Sequence, residues 1–286
     1  MEHNIIIAAE STADLSPALI EQFHIRMLRH GVRMGEKQFR DGLDVGPAEI
    51  FDYYRRTGEL PKTYSVNAAE YEAFFREATQ DGSAVILFTV GSALSSSCQN
   101  ARIAAESFNG VYVVDSQNLS VGIALLVLAG CDMVREGLDA PTICERCRAL
   151  RDRVDMSFVV SDIEFLKNGG RCSAMAALGA NLLQLKPCLL VRGGRVQLIR
   201  NYRGKLTKVH PEYLREHLGD GSDIDSRRVV LVHTNLDEET IRAYCSAIRA
   251  AVPVEELYVT RAGCSISTNC GYDSIGLAFL RKTVIR

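Results

Sequence analysis

Several absences narrow the reading before any motif is considered. No apolar run approaches the ~18–20 residues of a membrane span, and the first residues lack the basic start and short apolar core of a secretory leader. A cytoplasmic protein is expected. There is no Walker A loop, no GxGxxG after a strand and no HExxH. Gly263-Cys264-Ser265-Ile266-Ser267 does not make a GxSxG elbow. The six histidines (His3, His24, His30, His210, His217 and His233) stand at no metal-ligand spacing and beside no obvious catalytic partner. Nine cysteines, an odd number at irregular spacing and mostly within apolar or helix-like stretches, read as reduced buried thiols. The single CxxC, Cys144 to Cys147, falls inside a helix-like stretch without a second ligand pair. No cofactor or metal is expected.

Acid is also missing locally. From Phe165 to Pro211 there is no Asp or Glu, although the chain as a whole has a net charge of only -2. That span holds Lys167, Arg171, Lys186, Arg192, Arg195, Arg200, Arg203, Lys205 and Lys208. A one-sign segment creates a directed field suited to an anionic ligand, an acidic partner or nucleic acid. Nucleic acid is the weakest of these, because the span lacks interleaved aromatics and a recognisable motif.

What is present fits a two-domain α/β protein. A length of 286 residues, 47% hydrophobic, is enough for a sizeable core and about two domains of ~150 residues. Strands are expected at Ile5–Ala9, Ile25–Met34, Val85–Val90 and Val111–Val114. Helices alternate with them, including an apolar one from Leu119 to Arg135 and a charged one from Ala140 to Arg153. This pattern predicts a mostly parallel sheet with helices on both faces over residues 1–160. Residues 161–286 read as a mixed-sheet α/β domain, with a hairpin turning at Arg192-Gly193-Gly194-Arg195 and a last helix from Ser274 to Arg281.

Hydroxyl groups gather at the C-terminal ends of the apolar strands. Ser11 and Thr12 follow the first strand, Ser92 and Ser95 to Ser97 another, and Ser116 a third; Thr63 and Ser65 lie in a loop. Ligands of open α/β sheets bind beyond those strand ends, so this edge suits an anionic head group. Gly169-Gly170-Arg171, followed by Ser173 as the N-cap of a helix from Ala174 to Leu185, would add an anion-friendly turn.

The motifs Glu10-Ser11-Thr12-Ala13-Asp14-Leu15, Asp41-Gly42-Leu43-Asp44, Leu60-Pro61-Lys62-Thr63, Gly91-Ser92-Ala93-Leu94-Ser95, Val114-Asp115-Ser116, Gly169-Gly170-Arg171 and Ser274-Ile275-Gly276-Leu277-Ala278-Phe279 are similar in order and spacing to those of the DegV family. The resemblance covers nearly the whole chain. It implies a two-domain α/β protein holding a long-chain fatty acid in a tunnel between the domains. It further implies a non-catalytic, fatty-acid-binding subunit that presents the carboxylate to a separate ATP-dependent fatty acid kinase, which makes an acyl phosphate. On this resemblance Thr63 and Ser95 bind the carboxylate and Arg171 is the arginine of the Gly-Gly-Arg motif; with Ser11, Thr12, Ser92 and Ser96, the hydroxyls at the strand ends, it forms an additional pocket. Arg203 falls on the basic residue turned towards the kinase. Asn269 stands where the family has a histidine near the head group. An amide can donate to a carboxylate but cannot carry its counter-charge. The alternative is a stand-alone transferase or hydrolase acting on a lipid or other small anionic substrate through the same hydroxyl cluster.

Overall fold

The structure, a computed structural model, describes residues 4–170 and 185–284. The chain opens with β1 (Ile5–Glu10), a 3-10 turn (Ser11–Ala13), α1 (Pro17–Gln22), β2 (Arg26–Leu28), β3 (Gly31–Met34), β4 (Lys37–Arg40), α2 (Pro47–Thr57), β5 (Lys62–Tyr64) and α3 (Ala68–Ala78). It continues through β6 (Ala84–Thr89), α4 (Ser97–Ala105), β7 (Val111–Asp115), α5 (Val121–Arg135), α6 (Ala140–Leu150), β8 (Val154–Val159) and α7 (Ile163–Gly169). The second described stretch holds β9 (Leu185–Arg192), β10 (Arg195–Arg203), α8 (Leu206–Leu218), β11 (Ile224–His233), α9 (Glu238–Ala251), β12 (Glu256–Arg261), α10 (Cys264–Cys270) and β13 (Ile275–Arg281).

The α/β class expected from the sequence holds. One sheet, β2-β1-β6-β7, is parallel throughout. A larger one, β10-β9-β8-β13-β11-β12, is mixed. A small antiparallel sheet, β4-β3-β5, flanks the first. The hairpin forms as read: Gly193 and Gly194 take φ of 54° and 75°, the left-handed pair that a two-residue turn between twisted strands requires.

Helix α5 joins the two large sheets. Its residues from Val121 to Leu128 are all buried, and it packs on β1 and β6 on one side and β8, β11 and β13 on the other. A helix hydrophobic all round is one covered all round. Each fully buried Leu or Ile contributes about 1.5–3 kcal/mol relative to an exposed one, so α5 is the main tie between the halves.

Three sequence expectations need correction. The sequence predicts a helix over Ser274–Arg281, but Ile275–Arg281 is a strand in the interior of the mixed sheet, paired with both β8 and β11. A strand buried on both faces is a continuous apolar run, which periodicity alone does not separate from a buried helix. Ile25–Met34 is two strands, β2 in the parallel sheet and β3 in the small one. Strand β8, just ahead of Ser161, is part of the mixed sheet. Gly169 and Gly170 close helix α7, with Gly170 at φ 65°, where the sequence suggests a direct strand-to-helix turn. Ser173 and the helix expected from Ala174 lie outside the described residues, as does Arg171.

Candidate functional site

Beyond the C-terminal ends of β1 and β6, facing the mixed sheet and α10, lies a cavity of about 330 Å³. This is within the usual size of small-molecule pockets. Its apolar wall comes from both halves: Val90, Leu94 and Leu119 from the first, Phe158, Leu166, Val196 and Ile266 from the second. Its polar wall holds Thr12, His30, Thr63, Ser65, Ser95, Ser96, Ser265 and Asn269.

The strand register explains how these side chains converge. Thr63 lies opposite Val32 in the β3–β5 pairing, which carries the loop after it towards α4. Ser65 meets Ser96 across that gap, Oγ to Oγ at 3.0 Å. Ser95 Oγ accepts the Ser97 amide at 3.2 Å, so it also serves the start of α4. Thr12 Oγ1 donates to Glu10 Oε2 at 3.4 Å. Asn269 is on α10, and its Nδ2 donates to the Ser265 carbonyl at 2.7 Å.

Asp41 positions α10. Its carboxylate accepts from the amides of Cys264 (2.8 Å) and Ser265 (3.2 Å), from Ser265 Oγ (3.0 Å) and from Ser11 Oγ (3.2 Å). Hydrogen bonds to a charged group contribute roughly 1.5–3 kcal/mol each, so this contact fixes α10, with Asn269 and Ile266, against the first half of the chain.

Not every sequence-expected hydroxyl reaches the cavity. Thr12, Thr63, Ser65, Ser95 and Ser96 do, and the Asn269 amide joins them. Ser11 is turned to Asp41 and to the His30 amide. Ser92 is turned to Asp115, its Oγ 2.6 Å from Oδ2. Arg203 is exposed on β10, at an edge of the mixed sheet, while neighbouring Arg200 pairs with Glu212 and Glu216 of α8. Those acids lie just past the acid-free segment and fold back over it.

Sequence reasoning passes over His30. It sits at the break between β2 and β3, with its Nε2 3.3 Å from Glu10 Oε2. Glu10 is wholly buried, which raises its carboxyl. Hydrogen bonds from His30, Tyr71 and the Val90 amide outweigh that and hold it below the usual carboxylate range. The alternating pattern of Ile25–Met34 hides the break; a histidine amid apolar residues is the available signal. Cys270 also borders the cavity, and burial, with Asp14 nearby, pushes its thiol up to about 12, so it is a neutral thiol and a poor nucleophile. Among the described residues no group of His, Cys, Asp and Glu forms a metal site, and no helix is long and apolar enough to cross a membrane.

The profile of the DegV family, whose members it describes as uncharacterised, matches residues 4–282. The chain belongs to the DegV family. A DegV domain-containing protein of Caldanaerobacter subterraneus is 27% identical over 97% of this chain and 99% of its own. Protein DegV of Bacillus subtilis is 25% identical over 98% of this chain and 100% of its own. Among solved structures, a DegV family protein from Thermus thermophilus, described for its fatty acid binding, superposes with a TM-score of 0.88 at 29% identity, covering 97% of this chain and 99% of that one. The DegV fatty acid binding protein of Bacillus subtilis shares the fold, with a TM-score of 0.84 at 24% identity over 98% of this chain and 100% of that one.

Proposed function

We propose that this DegV protein binds a long-chain fatty acid in the cavity between its two halves, with the carboxylate at the hydroxyl-bearing wall. The observation that carries the reading is the division of that cavity into an apolar wall built by both halves and a polar wall built by Thr12, Thr63, Ser95, Ser96 and Asn269. The fatty acid binding described for the Thermus thermophilus relative supports it. Burial of a tail supplies the affinity, at ~0.8 kcal/mol per CH₂ before association costs. The hydroxyls set orientation.

The stand-alone hydrolase is the weaker reading. Ser97, His30 and Glu10 are in contact, but Ser97 Oγ and Glu10 Oε2 both meet the same nitrogen, His30 Nε2. In a Ser-His-acid relay the serine and the acid use opposite ring nitrogens. Ser97 is also fully buried and does not border the cavity. On the fatty acid reading the protein is a cytoplasmic carrier that presents the carboxylate to a separate ATP-using kinase through the face around Arg203, as the resemblance to the DegV family implies.

Replacing Ile266 by Trp fills the cavity from α10 and tests the reading. A fluorescent fatty acid should bind the parent saturably and fail to bind Ile266→Trp, with thermal stability retained within a few degrees. Undiminished binding would place the lipid elsewhere.

A further inference from the structure

His30 is fixed on both sides by its backbone: its amide donates to Ser11 Oγ at 3.1 Å and its carbonyl accepts the Asp41 amide at 2.9 Å. Only 4% exposed, the residue still borders the cavity. Its Nε2 faces the buried Glu10 carboxylate at 3.3 Å. An ionised carboxylate only accepts, so Nε2 carries the proton between them. Nδ1 has no hydrogen-bond partner among the described residues and is the ring nitrogen left to meet a ligand. Asn269, by contrast, already gives one amide proton to the Ser265 carbonyl. Among the described residues that line the cavity, His30 is the one side chain able to hold positive charge.

We propose that His30 is the specificity-determining residue for an ionised head group. With a fatty acid in the cavity the ring is an imidazolium, Nε2–H donating to Glu10 and Nδ1–H to a ligand carboxylate oxygen. No covalent bond between heavy atoms changes. Glu10 thereby acts as a positioning residue, since it fixes which nitrogen faces the ligand. The other titratable groups around the ring are Tyr71 of α3, which donates to Glu10, Asp41 beyond Ser11, and Cys98 of α4 within electrostatic range of Glu10. This inference rests on the fatty acid reading and names the group that recognises the charge.

The test compares palmitate with hexadecan-1-ol, each displacing a fluorescent lipid from the parent and from His30→Gln. The variant should lose palmitate affinity roughly ten- to a hundredfold and leave hexadecan-1-ol nearly unchanged. Equal changes for both probes, or none, would overturn the role of His30. A parent that binds neither probe would overturn the fatty acid reading and this inference with it, a result distinct from equal binding. If His30→Gln does not fold, ¹⁵N spectra of histidine-labelled parent protein with palmitate bound decide the matter. Both ring nitrogens of His30 should be protonated at about pH 7.5, and an unprotonated Nδ1 would overturn the proposal.

Discussion

Asp14 and Ser120, both at positive φ (50° and 51°), meet in a 2.5 Å hydrogen bond from Ser120 Oγ to Asp14 Oδ2. The other oxygen, Oδ1, accepts the Gly263 amide at 2.7 Å. One carboxyl thus links the turn after β1, the start of α5 and the start of α10. Backbone conformations of this kind cost about 1–3 kcal/mol each and persist where surrounding contacts fix them.

That carboxyl yields a pH prediction. Burial, with Asp41 nearby, raises Asp14 from 3.8 to about 8 despite its hydrogen bonds from Ser120 and Gly263. The folded state then holds a proton that the unfolded chain releases. Its contribution to stability is full below about pH 4 and is lost as pH rises to about 8, a change on the order of several kcal/mol. Glu10, depressed when folded, runs the other way: it contributes above its ordinary value of 4.5 and the contribution is lost as pH falls through its folded value. Asp14→Asn keeps an acceptor and tolerates positive φ. Urea unfolding of the parent minus that of the variant should therefore decline from pH 4 to pH 8; parallel curves would show that Asp14 is not protonated when folded.

Thr63→Ala with Ser95→Ala removes two hydroxyls from the polar wall. Palmitate binding should weaken by about 2–4 kcal/mol in total, and a fatty alcohol of equal length should be less affected. Ser95→Ala also removes the acceptor of the Ser97 amide, so stability should fall by about 0.5–2 kcal/mol. Equal losses for acid and alcohol would assign these hydroxyls to packing or folding.

Arg203 is exposed at the edge of the mixed sheet, amid a segment of one charge sign. Glu212 and Glu216 neutralise Arg200 but are not paired with Arg203. Arg203→Glu should slow association with the cognate fatty acid kinase and flatten its salt dependence, with lipid binding unchanged, because steering charges act on encounter over a Debye length of ~8–10 Å. Stopped-flow rates equal to the parent's at low salt would refute this docking face.

Legibility in the sequence follows the range of the forces involved. Strands β1, β6 and β7 can be read because each is an apolar run bounded by turn residues, and the hairpin because Gly193-Gly194 can take the positive φ values that its two-residue turn needs. Thr12, Thr63, Ser95 and Ser96 can be nominated as hydroxyls at strand ends. Whether such a group turns outward is decided by distant partners: Asp41 takes Ser11 and Asp115 takes Ser92, which no local pattern announces. His30 escapes notice for the same reason, since Glu10, Tyr71 and Ser97 reach it or one another from three separate elements. The strand Ile275–Arg281 reads as a helix because burial on both faces erases its alternation.

Organic extraction of the protein purified from bacterial cells, followed by mass spectrometry, tests the central claim most directly. The account predicts a long-chain fatty acid at about one equivalent per chain, as a tail bound with most of its ~0.8 kcal/mol per CH₂ would be retained through purification. Protein that is free of lipid, and that also fails to take up fatty acids across a range of chain lengths, would contradict it.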